Sequence, residues 1–165
     1  MSVPVFFPIV TIDLGEGGRI GVCPLPGGDG DLSGDMETVC AWNPAIVLSM
    51  TEQKEMDACG SGKLGEELNR FEIDWVHFPV PDFGGPAEKE SCFWPELAQR
   101  LHRILDRGDA VLLHCRGGRG RSGMIALRLM IERGEDPDKA LSRLREKRPG
   151  AVETDEQRQW AFELL

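Results

Sequence analysis

The sequence predicts an α/β domain: a mostly parallel central β-sheet flanked by helices, with a helical C-terminal half. Three observations carry this. Short apolar runs such as Ala45-Ile46-Val47-Leu48 and Ala110-Val111-Leu112-Leu113 recur between amphipathic stretches of helical length. Glycine, proline and short polar residues punctuate the junctions. The last four elements read strand, helix, helix, helix, a pattern of helical crossovers rather than hairpins. A length of 165 residues suits one domain with its own core.

Taken in order, Val3–Ile12 is an apolar strand interrupted by Pro4 and Pro8, which confines it to a sheet edge. No basic flank precedes this run, so it reads as a strand and not as a signal peptide. A second short strand covers Arg19–Cys23, and Pro24 to Gly30 form a loop. Ser33 is the expected N-cap of a helix through about Trp42. Ala45–Met50 is a buried strand, and Thr51 caps the short helix after it. Gly60–Gly62 break the chain before a helix over Lys63–Arg70, and the alternation in Glu72–Phe78 predicts another strand.

Pro79 to Pro86 is too rich in proline and glycine for regular structure. A helix is expected from Trp94 or Pro95 to Arg107, with Leu97, Leu101, Ile104 and Leu105 on one face. Asp109–His114 is the next strand and Ser122–Arg133 the next helix, with Met124, Ile125, Leu127, Leu129 and Met130 assigned to the core. Asp136-Pro137 is an acidic N-cap with proline in the first turn of a further helix. Pro149-Gly150 ends that helix, and a last one starts near Thr154.

Hydrophobic content of 41% and charged content of 28% are ordinary for a globular domain. No apolar stretch approaches the length of a membrane span. The net charge of −9 argues against nucleic acid and against stable association with an anionic membrane. Five cysteines at irregular spacing give neither a zinc pattern nor an even disulfide framework, which points to a reducing, cytoplasmic setting.

The chemistry concentrates in His114-Cys115-Arg116-Gly117-Gly118-Arg119-Gly120-Arg121-Ser122-Gly123. A bare Cys-x5-Arg would arise by accident roughly 0.4 times in a chain of this composition, so it means little alone. The preceding histidine, the glycines, the following serine and the apolar lead-in make it specific. A buried strand delivers a thiol into a loop of backbone N–H groups, an arginine closes the loop, and a helix begins at the serine. Such a loop is an anion cradle with a nucleophile at its base. The alternative is an ordinary glycine-rich strand-to-helix turn around a buried cysteine.

This segment resembles the H-C-x5-R-[ST] signature of the cysteine-dependent protein tyrosine and dual-specificity phosphatases. It is most similar to their compact dual-specificity-like branch, which includes kinase-associated phosphatases. The core resemblance spans about Ala45 to Gln157. It implies one phosphatase domain over 1–165, with 1–44 holding the N-terminal strands and first helix and 45–165 the catalytic core. It implies a metal-independent phosphomonoester hydrolase with no cofactor, acting on a phosphorylated protein or small phosphomonoester through a phospho-cysteine intermediate. Cys115 takes the place of the nucleophile. Arg121 becomes a bidentate clamp on phosphate oxygens, a geometry lysine does not mimic. Gly117, Gly118 and Gly120 allow the unusual dihedrals and close approach of a cradle.

Ser122 fits as a donor to the leaving sulfur, as an N-cap, or as both. His114 either supports the loop through hydrogen bonds or is a neutral histidine buried in the strand. Asp82 in V-P-D-F-G-G-P lies 33 residues before Cys115 and resembles the family's general-acid loop; an Asx-turn role would also suit it. Asp74, Asp106 and Asp109 are weaker candidates because they sit in or beside regular elements. Gln157 resembles a late glutamine that positions water in part of the superfamily, although a glutamine on a helix surface is the commoner explanation. Arg116 and Arg119 join Arg121 on the loop. They either favour phosphoinositides and other highly anionic phosphates or face solvent and acidic neighbours. A silent phosphate-binding module and a thiol redox enzyme with the same Cys-x5-Arg spacing are the readings from other classes.

Overall fold

A computed structural model describes residues 6–163. Its sheet has five strands: β1 (Val10–Asp13), β2 (Arg19–Cys23), β3 (Ile46–Ser49), β4 (Asp74–His77) and β5 (Ala110–His114). They lie in the order β1-β2-β5-β3-β4. Only β1 runs antiparallel, hairpinned to β2 at the edge; β2, β5, β3 and β4 are parallel. The expected mostly parallel α/β sheet is therefore present.

Seven helices flank it: α1 (Leu32–Trp42), α2 (Gln53–Ala58), α3 (Leu64–Arg70), α4 (Glu88–Asp106), α5 (Gly120–Glu132), α6 (Pro137–Lys147) and α7 (Asp155–Phe162). Alternate strand residues feed two cores. Ile20, Val22, Ile46, Leu48, Val111 and Leu113 face α4, α5 and α6, whereas Val47, Leu112 and Cys23 face α1, α2 and α3. Burial on both faces is what makes β5 a continuous apolar run. Met124, Ile125, Leu127, Leu129 and Met130 are all buried, as expected for the core.

Several boundaries depart from expectation; among them, α5 begins at Gly120 with Arg119 as its N-cap, so Ser122 lies inside the helix and does not cap it. The first strand begins at Val10 and not near Val3; Val10 already pairs with Val22, one residue before its partner strand ends at Cys23 and Pro24. The expected residues Val3 to Val5 lie outside those described. Asp31, not Ser33, caps α1, its carboxylate accepting from the Gly34 N–H at 2.9 Å. Glu52, not Thr51, is the N-cap of α2. Glu88, not Trp94 or Pro95, begins α4, with Pro95 inside the helix. Glu88 and Glu90 suit the positive end of that helix, and Trp94 anchors its middle.

That anchor offsets the helix-interior proline. Trp94 is buried, makes edge-on contacts with Phe78 and Trp160, and donates its indole N–H to Glu132 at 2.9 Å. Trp94→Ala should cost about 3–5 kcal/mol, read as a lowered urea midpoint with the slope of the transition unchanged.

Candidate active site

β5 is the central strand and ends at His114, so Cys115 emerges at the C-terminal edge of the parallel sheet, where open α/β sheets place ligands. The following residues fold back before α5 begins at Gly120. Gly118 takes φ +71° and packs so closely on Cys23 and Pro24 that a Cβ would lie 2.7 Å from the Cys23 carbonyl carbon. A glycine is required there. At Gly120 a Cβ would meet the side-chain ends of Glu153 and Gln157, a milder constraint.

The hydrogen bonds of this loop share one orientation. His114 Nδ1–H donates to the Cys115 carbonyl at 3.1 Å, and Leu25 N–H to that of Arg116 at 3.2 Å. Arg148 Nη2 donates to Gly117 O at 3.0 Å and Arg148 Nε to Gly118 O at 2.9 Å. Val152 N–H donates to Arg119 O at 3.1 Å. The N–H groups of Arg116, Gly117, Gly118 and Arg119, by contrast, donate to nothing among the described residues. Consecutive free N–H groups converging ahead of a helix N-terminus form an anion site.

Cys115 Sγ lies 3.2 Å from Ser122 Oγ, and both residues are buried. His114 is fully buried, and its other nitrogen, Nε2, accepts from Ser49 Oγ–H. Ser49 Oγ in turn accepts the Trp75 indole N–H at 2.8 Å. This chain from Trp75 through Ser49 to His114 and the Cys115 carbonyl requires a neutral imidazole with its proton on Nδ1. Burial is the main reason that His114 has its pKa pushed down to about 4, with Arg121 nearby acting in the same direction.

Arg121 is buried, and sequence reading missed the residue that holds it. Glu55 on α2 accepts from Arg121 Nη1 and Nη2, each at 2.7 Å. Nη1 also donates to Val80 O at 3.0 Å, while Asp82 Oδ1 lies 3.4 Å from Nη2. Nε of Arg121 is buried with no partner among the described residues, a donor that a bound oxyanion would satisfy. Burial alone would raise the Glu55 pKa, but hydrogen bonds from Arg121 and from the Glu52 N–H hold it below the usual carboxylate range. The only local signal was the Glu52/Glu55 spacing, which reads as helix capping.

Asp82 projects from the irregular 79–86 loop, half exposed, with Oδ1 accepting from the Phe83 N–H at 3.0 Å. The loop is tied to α7: Thr154 Oγ1 donates to Phe83 O at 2.9 Å and Gln157 Nε2 to Gly84 O at 3.3 Å. Gln157 is fully buried, and its Oε1 accepts from the N–H groups of Glu153 and Thr154. It therefore sits beside Gly120 with both ends of its amide engaged. Arg116 is partly covered and contacts Gly28 O at 3.4 Å, whereas Arg119 is exposed. Neither forms an ion pair among the described residues. Asp74, Asp106 and Asp109 lie at the opposite edge of the sheet, paired with Arg100, Arg133 and Arg107.

The fold and this loop define a phosphatase domain of the dual-specificity type. The chain belongs to the PTP-SAK family, described as Swiss Army Knife protein, DSP-PTPase phosphatase domain, whose model matches residues 30–161. The match begins earlier than the Ala45 to Gln157 span on which the signature resemblance rests. The chain is 32% identical to human cyclin-dependent kinase inhibitor 3 over 165 aligned residues, covering 88% of this chain and 71% of that protein. A protein of Invertebrate iridescent virus 3 named for tyrosine phosphatase is 37% identical over 92 residues; the match covers 53% of this chain and only 38% of the viral protein. The fold matches a kinase associated phosphatase structure with a TM-score of 0.84 at 23% identity, covering 98% of this chain and 95% of that one.

Two predictions follow from the buried groups. Glu55→Gln leaves a buried guanidinium without its carboxylate. It should lower stability by about 3 kcal/mol and weaken tungstate binding, measured by denaturant titration and calorimetry. The second concerns acid. Between about pH 6.5, the ordinary histidine value, and pH 4, the unfolded chain binds a proton at His114 that the folded protein refuses. Its stability contribution is complete above pH 6.5 and declines by about 3 kcal/mol as the pH falls to 4. Urea midpoints of His114→Asn should show a shallower acid decline than those of the wild type.

Proposed function

We propose that this chain is a metal-independent phosphomonoester hydrolase acting through a phospho-cysteine intermediate, with phosphotyrosine and phosphoserine or phosphothreonine proteins as its substrate class. One observation carries the reading: the Cys115 sulfur lies at the base of a loop whose successive N–H groups, together with the unpaired Nε of Arg121, have no internal acceptor.

The Cys115 thiolate attacks phosphorus in line. The S–P bond forms as the P–O bond to the leaving group breaks. Arg121 and the loop N–H groups hold the equatorial oxygens. Asp82 transfers its proton to the leaving oxygen, and Ser122 donates toward the sulfur. Water then attacks phosphorus with Asp82 accepting its proton. The S–P bond breaks, releasing phosphate and regenerating the thiolate. Gln157, whose amide is already engaged, contributes by bracing the Asp82 loop against the cradle.

A second reading draws on Arg116 and Arg119, which flank the cradle without carboxylate partners among the described residues. It makes highly anionic phosphates, phosphoinositides included, the preferred substrates. A phosphoinositide panel beside phosphopeptides separates the two.

The decisive experiment is aryl phosphate hydrolysis in the presence of chelator and reductant. Turnover is expected to survive chelation and to vanish in Cys115→Ser. Asp82→Asn is expected to lower kcat by about 10²–10⁴-fold, with a smaller loss for leaving groups that need no proton. A folded wild type without turnover between pH 5 and 8 would favour a silent phosphate-binding module.

A further inference from the structure

We propose that Arg148 is a positioning residue for phosphate binding: it holds the Gly117 and Gly118 carbonyls outward and thereby aims the N–H groups of Gly118 and Arg119 into the cradle. The inference rests on the phosphatase reading of the loop and assigns a role to a residue outside its signature.

In a trans peptide unit the C=O and N–H point in opposite directions, and the described residues contain no cis peptide. The carbonyl of Gly117 shares a peptide with the N–H of Gly118, and the carbonyl of Gly118 with the N–H of Arg119. Fixing both carbonyls from outside therefore fixes both donors toward the inside. Arg148 does this with adjacent atoms of one planar group, Nε to Gly118 O at 2.9 Å and Nη2 to Gly117 O at 3.0 Å.

The neighbouring carbonyls have backbone or histidine donors: Cys115 O takes His114, Arg116 O takes Leu25, and Arg119 O takes Val152. The central pair depends on Arg148. Gly117 and Gly118 also lack the side chains that would resist rotation of their peptides. A single guanidinium thus holds both carbonyls of this Gly-Gly pair, of which Gly117 has open space beside it and Gly118 is packed on Cys23 and Pro24.

Arg148 is itself well held. It is the C-cap residue of α6, its N–H donating to Leu144 O at 2.8 Å. The turn after it is bound back to α6 by Arg145, which donates to Ala151 O and Val152 O. No ion pair to Arg148 is present among the described residues, so its charge also adds to the field over the cradle.

The test measures tungstate affinity by calorimetry and aryl phosphate turnover for the wild type, Arg148→Ala and Arg148→Lys. Arg148→Ala should lose about 10- to 100-fold in kcat/KM, mainly through kcat, with a parallel loss of tungstate affinity. Guanidinium chloride at low, non-denaturing concentration should restore part of both in Arg148→Ala, while the wild type gains nothing. Should Arg148→Ala not fold, Arg148→Lys serves instead. It keeps the charge without the planar fork and should lose tungstate affinity at an unchanged Tm. Tungstate affinity and kcat within twofold of wild type in whichever variant folds would overturn the proposal. A wild type that neither binds tungstate nor turns over would overturn it together with the phosphatase reading; an active wild type with indifferent variants would overturn this proposal alone.

Discussion

The outward anchoring of the 115–119 carbonyls is the constraint on which the site depends. Unpaired backbone donors each carry a penalty of about 1–3 kcal/mol when desolvated, so a loop left to itself would rotate its peptides to satisfy them. Here each carbonyl is already engaged by a donor outside the loop. The donors come from β5, the segment after β2, the end of α6 and the turn before α7. A loop of a few residues thus draws on elements from both ends of the chain.

Arg121 shows the same economy of geometry in side chains. A buried ion pair is weak evidence for stability, since desolvation consumes most of the attraction. The Arg121–Glu55 pair has another value. Both Nη atoms are fixed by one carboxylate, which leaves the Nε edge free and sets the plane of the guanidinium. Asp82 approaches the same guanidinium from a loop that Thr154 and Gln157 secure to α7. Asp82, Arg121 and Cys115 are therefore each held from a different element: the α7 end, α2 and α5.

Much of the framework was legible in sequence because it rests on local patterns. The apolar runs at Ile46–Ser49 and Ala110–His114 gave strands, Asp136 caps α6 as expected, and the last helix starts near Thr154 as expected. Ser33 and Thr51 misled because a hydroxyl near a helix start is only one of several possible acceptors, and Asp31 and Glu52 sit in the cap positions. Pro95 suggested a helix start, yet burial of Trp94 carries α4 through it. Within the site, the residues that escaped detection are those that act across long stretches of chain. Glu55 reaches Arg121 over 66 positions, Ser49 reaches His114 over 65, and Arg148 reaches Gly118 over 30. No periodicity or spacing encodes such contacts.

The double engagement of Glu55 has a dynamic consequence. The carboxylate that grips Arg121 also accepts the Glu52 N–H at the start of α2, a helix of only six residues. So short a helix has little intrinsic stability. Its first turn and the orientation of the buried guanidinium are therefore one cooperative unit. Fraying of α2 removes the Glu55 carboxylate from Arg121 while the sheet remains intact, leaving the guanidinium with Val80 O and Asp82 among its remaining close partners.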